Sequence, residues 1–242
     1  MNAILPDWPL PRGVKAAVTL RSGGISQGSY ASLNPADHVL DDPSHVTANR
    51  AIIRDMLQLP SEPIWLRQVH GINVVKADQC QRAPEADASF TDRSGTVCAV
   101  LTADCLPVLF CGDNGRVIAA AHAGWRGLQA GVIKQSLAAM NCAEVSVWLG
   151  PAIGPDNFEV GDEVRQAFLA DNSKAASAFK ARAPGKWLAD IYQLARMQLA
   201  ELGIDNIHGG GLCTMADPAR FYSYRRDGAA TGRMASLIWR EY

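Results

Sequence analysis

The stretch from Val97 to Gly127, VCAVLTADCLPVLFCGDNGRVIAAAHAGWRG, constrains the fold more than any other in the chain. Val97–Phe110 is almost entirely apolar, Asp113-Asn114-Gly115 supplies a turn, and Arg116–Ala121 returns as a second apolar run. This pattern predicts a hairpin of two buried strands. Two reactive side chains interrupt it. Cys105 follows Asp104 at a bend marked by Pro107, and His122 sits where the second strand meets a glycine-rich turn. A polar group able to bind metal at the end of a buried strand costs free energy unless something satisfies it. The search for function therefore starts there.

The rest of the chain reads as strands interleaved with a few helices. Residues 1–13, with Pro6, Pro9 and Pro11, form an irregular lead-in to a strand at Val14–Leu20. That strand ends in the turn Arg21-Ser22-Gly23-Gly24, and the Gly/Ser/Asn-rich segment Ile25–Asn34 reads as an ordered loop. Asp41-Asp42-Pro43-Ser44 starts a helix that Ser44 or Thr47 caps, and its apolar stripe runs through Ile53 to Leu57. Ile64–Leu66 and Asn73–Val75 are short strands flanking Gln68-Val69-His70-Gly71, which places His70 on a connection. Gly127–Met140 is predicted helical, Val145–Leu149 a buried strand and Val160–Leu169 a short helix. Asn172–Pro184 reads as the most mobile surface segment. Asp190 caps a helix that Gly203 closes, and strands follow at Ile204–Ile207, Phe221–Tyr224 and Met234–Trp239. With only four good helices among so many strands, the expectation is one α/β domain over residues 1–242, with a mixed sheet.

Composition narrows the function classes. The 23 basic and 24 acidic residues leave a net charge of −1 with no long basic run, so bulk electrostatics does not indicate a nucleic acid or a membrane as partner. No apolar run reaches the roughly 18 residues of a membrane helix, and the first residues lack a signal-peptide pattern. Cysteines at 80, 98, 105, 111, 142 and 213 contain no Cys-x-x-Cys pair. Reduced thiols in a cytoplasm are expected.

His70, Cys105 and His122 can form a set of one thiolate and two imidazoles. Zinc accepts that set, and three protein ligands leave a fourth position open, as catalytic sites do. The same cysteine and histidine could instead be a nucleophile and its base, with Asp104 or another carboxylate orienting the imidazole. The residue types alone do not separate these readings. The turn His122-Ala123-Gly124-Trp125-Arg126-Gly127 runs from strand to helix, so it presents free backbone N–H groups and a cation suited to a phosphate or another oxyanion. Five histidines without a His-x-His pair are too few for a multicopper oxidase, although a single two-His, one-Cys site can hold copper. The His-x-Glu and Cys-x-x-Cys signature of zinc base deaminases is absent.

Seven separated motifs carry a resemblance. They are Thr19-Leu20-Arg21-Ser22-Gly23-Gly24, Gln68-Val69-His70-Gly71, Ala86-Asp87-Ala88, Thr102–Pro107, His122–Gly127, Gly150–Gly154, and Phe221–Arg226 with Thr231-Gly232-Arg233. In this order they resemble the YfiH-like, laccase-domain (polyphenol oxidase-like) family of purine nucleoside phosphorylases, also called peptidoglycan editing factor. The resemblance implies an α-β-β-α sandwich with a mixed β core. It implies metal ligands at His70, Cys105 and His122, holding zinc, with copper as the alternative ion.

The implied activity is phosphorolysis of adenosine, inosine and methylthioadenosine, with adenosine deamination beside it. Breaking the glycosidic bond develops positive charge on the ribose and negative charge on the departing purine. Phosphate held by the Gly124–Gly127 turn and by arginines such as Arg21 or Arg126 would be the nucleophile. For deamination, metal-activated water would attack the purine ring. The residues expected to act are Cys105, His122 and Arg21 in catalysis, with Arg21, Gln68, Gly124, Arg126 and Arg225 binding substrate. The expected partners are small molecules, a nucleoside and phosphate. Two other activities are carried as alternatives: a copper polyphenol oxidase, and a cysteine-dependent hydrolase editing peptidoglycan precursors.

Overall fold

The computed structural model describes residues 2–80 and 83–242. Its strands and helices, in chain order, begin with β1 (Ala3–Ile4), β2 (Val14–Thr19), α1 (Pro43–Leu57), β3 (Val74–Lys76) and β4 (Ala88–Thr91). The centre holds β5 (Val97–Thr102), β6 (Leu106–Gly112), β7 (Val117–Ala123), α2 (Trp125–Ala130), α3 (Val132–Met140) and β8 (Val145–Leu149). Then come β9 (Glu159–Gly161), α4 (Asp162–Asp171), β10 (Phe179–Ala183), β11 (Lys186–Ala189) and α5 (Ile191–Glu201). The last elements are β12 (Ile207–Gly209), α6 (Tyr224–Asp227) and β13 (Met234–Arg240).

Alternation of side chains along the strands builds four layers. A six-stranded mixed sheet, β12-β8-β6-β7-β4-β3, packs face to face with a four-stranded antiparallel sheet, β1-β2-β13-β5. Leu109, Cys111, Ile118 and Ala120 point from the larger sheet into the space between the two, against Val18, Cys98, Val100 and Ile238. Their neighbours in sequence, Val108, Phe110, Ala119 and Ala121, point the other way into a core shared with α3 and α5. On the far side of the smaller sheet, Ala17, Ala99, Leu101 and Leu237 meet Ile53 and Leu57 of α1. The result is the expected α-β-β-α sandwich.

Several local expectations are corrected. The apolar run Val97–Phe110 is two strands, not one: β5 lies in the four-stranded sheet and β6 in the six-stranded sheet. The crossing between sheets is made at Asp104, whose φ of 83° turns the chain sharply. Gly131 (φ 98°) breaks the predicted Gly127–Met140 helix into α2 and α3. Asp42, rather than Ser44 or Thr47, caps α1 by accepting a hydrogen bond from the Ser44 N–H at 2.7 Å. Segment 172–184 forms a 3-10 turn and β10, because Ala175, Ala178 and Phe179 are buried against the main core.

Phe221–Tyr224 is not a strand. Phe221 and Tyr222 are fully buried, the Tyr222 hydroxyl donates to the Tyr30 carbonyl at 2.6 Å, and Ser223 caps the short helix α6. Of Ile64–Leu66, only Ile64 makes a bridge, to Cys98. The lead-in also contributes β1, which pairs with the end of β2. Residue 1 of that lead-in lies outside the described residues.

Candidate metal centre and its cavity

The β6–β7 register places Pro107 opposite His122 and Leu106 opposite Ala123. Cys105, one residue before β6, therefore sits at the same end of the hairpin as His122. His70 arrives from a separate loop. The ligand atoms of the three residues all lie within 4.8 Å of one another, and they are the one such group of His, Cys, Asp and Glu side chains among the described residues. Cys105 Sγ is 3.8 Å from His70 Nε2, and the two imidazole rings meet edge to face at 4.7 Å. A tetrahedral zinc, with Zn–S of about 2.3 Å and Zn–N of about 2.0 Å, separates a sulfur and a nitrogen ligand by about 3.5 Å. The donor set fits such an ion.

Asp87 holds this arrangement together. Its Oδ1 accepts from His122 Nδ1 at 2.7 Å and from the His70 backbone N–H at 2.9 Å. Its Oδ2 accepts from the N–H groups of Gly71 (2.7 Å) and Val69 (3.2 Å). One wholly buried carboxylate thus fixes the tautomer of one ligand and the loop that carries another. His70 itself sits at φ 60°, a left-handed conformation held by those bonds.

Burial pushes the Cys105 thiol up, but the His122 and His70 imidazoles outweigh it and bring the pKa to about 6. Burial pushes His122 down, while the Cys105 thiolate and the Asp87 hydrogen bond raise it to about 9. Both shifts favour a thiolate beside an imidazolium, because each group stabilises the charged form of the other.

The carboxylate that orients the imidazole is Asp87, not Asp104. Asp104 accepts from Thr214 Oγ1 (2.5 Å), Ser223 Oγ (3.0 Å) and the Arg225 N–H (2.6 Å), tying down another wall. Ala86-Asp87-Ala88 was visible as a motif. Nothing in its spacing from His122 indicated the contact, because β4 pairs with β7 across 33 residues, as Ala88 opposite Ala121.

Gly124 is required for close approach: a Cβ there would lie 2.8 Å from His70 Cδ2 and 3.0 Å from Cys105 Sγ. Gly127 packs the first turn of α2 onto the His70 loop, since its Cβ would lie 2.9 Å from the Gly71 carbonyl.

His70, Cys105 and His122 lie on the wall of a cavity of about 410 Å³, within the range of small-molecule sites. Trp125, Phe158 and Tyr224 supply rings; Leu101, Ile153 and Ile191 supply aliphatic surface; Arg126, Arg225, Arg233 and His38 supply cations or donors. Arg126 stacks on Trp125 at 4.4 Å, and Arg225 lies 5.8 Å over Phe158.

The sequence-predicted residues divide here. His70, Cys105, His122, Arg126 and Arg225 come together around this cavity, with Gly124 beside the ligands. Gln68 also lines it, but its amide is committed to both backbone groups of Leu101, at 2.8 and 2.7 Å. Arg21 is not among the lining residues. Its guanidinium donates to the carbonyls of Ala31 and Pro218 and lies 4.9 Å over Tyr222. Asp87, Arg233, His38, Trp125, Phe158 and Tyr224 are the additions that folding makes.

A family model described as multi-copper polyphenol oxidoreductase laccase matches residues 15–241. The chain is 54% identical over 243 residues to a purine nucleoside phosphorylase of Pseudomonas aeruginosa, covering 99% of each chain. It is 52% identical over 239 residues to purine nucleoside phosphorylase YfiH of Escherichia coli, covering 98% of each. A crystal structure of a Neisseria meningitidis protein is similar with a TM-score of 0.96 at 48% identity over 100% of both chains. YlmD from Geobacillus stearothermophilus is similar with a TM-score of 0.87 at 30% identity, over 97% of this chain and 94% of that one.

Proposed function

Because the chain belongs to the YfiH-like laccase-domain family, we propose that it is a metal-dependent purine nucleoside phosphorylase. One observation carries the reading: two imidazoles and a thiolate share a cavity with aromatic rings and arginines. The substrates are adenosine, inosine and methylthioadenosine, each with inorganic phosphate, and the ion is zinc. His70, Cys105 and His122 would hold the ion, which would supply Lewis acidity at the cavity wall.

The chain's own groups do the rest. Trp125, Phe158 and Tyr224 offer flat apolar surface to a purine. Arg126 and Arg225, 4.4 Å over Trp125 and 5.8 Å over Phe158, bring positive charge beside those rings, where negative charge develops on the departing purine. A phosphate oxygen forms a bond to the ribose anomeric carbon as the bond to the purine nitrogen breaks, and the purine leaves with the electron pair. Gln68 acts by holding the backbone of Leu101 beside the His70 loop. Arg21 acts by bridging Ala31 and Pro218. Deamination of adenosine to inosine is a second activity of the same site.

The test is direct. Purified protein with adenosine and phosphate should release adenine and ribose 1-phosphate, and Cys105→Ala should lose both the metal and that turnover. Absence of phosphate-dependent cleavage in metal-loaded protein overturns the reading.

The family model's description favours a second reading, a copper oxidase of phenols, since copper accepts the same donors. Oxygen uptake with a phenol distinguishes it. The lowered Cys105 pKa supports a third, a thiol hydrolase on peptidoglycan precursors. A thiol-trapping reagent that modifies Cys105 without displacing metal distinguishes that one.

A further inference from the structure

Three arginines line the cavity, and they are not equivalent. Arg126 and Arg225 are exposed; Arg126 lies 4.4 Å over Trp125, while Arg225 lies 5.8 Å over Phe158 and donates from Nη1 to the Glu159 carbonyl at 2.8 Å. Arg233 is half-buried at the entry to β13 and lies 6.0 Å over the Tyr224 ring; what sets it apart is that its Nη1 is pinned by two backbone carbonyls, Thr231 O at 2.7 Å and Gly232 O at 3.0 Å. The opposite edge of the same guanidinium, Nε and Nη2, has no hydrogen-bond partner among the described residues. That edge is the planar two-donor fork that matches two oxygens of a phosphate, and a pinned fork loses less entropy on binding than a free one.

His38 lines the same cavity, with its Nδ1 3.7 Å from Asp37 Oδ1, and offers a second imidazole nitrogen there. It is brought there by Asn34, a fully buried side chain. Asn34 Oδ1 accepts from the Arg233 backbone N–H at 3.1 Å and from the Ala36 N–H at 3.1 Å, while its Nδ2 donates to Asp41 at 2.9 Å. The loop carrying His38 and the strand end carrying Arg233 are thereby joined at one amide. The positive charge of Arg233 is felt at His38, and the charges of Cys105 and Asp104 are felt at Arg233. Arg233 and His38 line one cavity with His70, Cys105 and His122. The Asp104 carboxylate is already engaged by Thr214, Ser223 and the Arg225 N–H.

We infer that Arg233, with His38, forms the oxyanion subsite of the cavity and that its ligand is inorganic phosphate. The choice of phosphate among oxyanions rests on the phosphorylase reading above. In this arrangement Arg126 and Arg225 serve the ring-bearing part of the substrate, and Arg233 holds the co-substrate.

Titration calorimetry of the metal-loaded protein with inorganic phosphate alone tests the subsite without any turnover. Wild type should bind at one site. Arg233→Lys, which keeps the charge and loses the fork, should weaken binding by about 10- to 100-fold, the worth of a charge-assisted pair of hydrogen bonds. His38→Asn, at an exposed position, should weaken it several-fold without a change in melting temperature. Lys180→Gln, which removes an exposed cation on β10, should leave it unchanged.

Wild-type affinity in both His38→Asn and a folded Arg233→Lys overturns the proposal. So does the absence of phosphate binding to wild type, or its loss in Arg126→Gln alone. Phosphate bound through Arg233 in a protein that releases no ribose 1-phosphate from any nucleoside sinks the phosphorylase reading and leaves the subsite standing.

Discussion

Asp87 Oδ1 stands 2.7 Å from His122 Nδ1, and the same carboxylate gathers three backbone N–H groups of the loop that carries His70. One side chain therefore sets the position of two candidate ligands, His122 and His70. Asp87→Asn keeps the volume but loses the charge, and its NH2 group cannot accept the bonds that one oxygen accepts now. Metal affinity should fall about 10- to 100-fold, as such outer partners typically cost. Competition with a chromophoric chelator measures it; an unchanged affinity would contradict the orienting role.

Gly124→Ala places a methyl group against His70 Cδ2 and Cys105 Sγ. The backbone there has an ordinary extended φ of −62°, so the fold should tolerate the change while the ligand cluster is forced apart. The expected outcome is loss of bound metal and of turnover, with a melting temperature close to that of wild-type protein stripped of metal. Full metal content in the variant would show that the cluster is looser than its geometry indicates.

Stripping the metal should lower the melting temperature, because an ion bound only by the folded chain stabilises it by mass action. The thiol and both imidazoles must shed protons to bind, so this gain should shrink as pH falls. Thermal melts with and without added zinc across pH 5–8 read both effects; a gap that widens in acid would exclude this ligand set.

Cys105 should also be the reactive thiol of the metal-free protein. Its pKa of about 6 leaves it mostly thiolate above pH 6, and alkylation should decline as pH drops through that value. Burial pushes Cys98 up to about 12 and Cys111 up to about 11, so both stay protonated and inert at neutral pH. Peptide mass spectrometry after brief alkylation at pH 7 should find the label at Cys105, and zinc should suppress it. Equal labelling with and without zinc would remove Cys105 from the ligand set.

Between the two sheets, Leu109 is fully buried among Ile118, Val100 and Ile238. Leu109→Ala should cost about 2–5 kcal/mol of stability through lost burial and a cavity. Denaturant unfolding gives the number, and the metal content per folded molecule should not change, since the residue lies deep in the layer interface.

Some of this was legible along the chain. The apolar runs and the turn of the 97–127 stretch indicate strands, and the β6–β7 hairpin, being local, implies that Cys105 and His122 share one end. The stripe of α1 through Ile53 to Leu57 and the Asp190 cap of α5 are equally local, and the structure has both. The division of Val97–Phe110 between two sheets was not, because an unbroken apolar run looks the same whether it is one strand or two. Asp104 was a sensible partner for the neighbouring imidazole by proximity in sequence, yet its left-handed backbone turns it toward Thr214 and Ser223.

What the sequence by itself determined is therefore the material: strands, helices, and ligand types of known chemistry. What only the tertiary structure decided is which distant groups meet. His70 is brought to Cys105 by a loop whose conformation Asp87 imposes, and Arg233 is brought to His38 by a buried amide at Asn34. The physical reason is that local periodicity is set by neighbouring residues, whereas a buried polar contact between remote segments forms only when the whole core has closed around it.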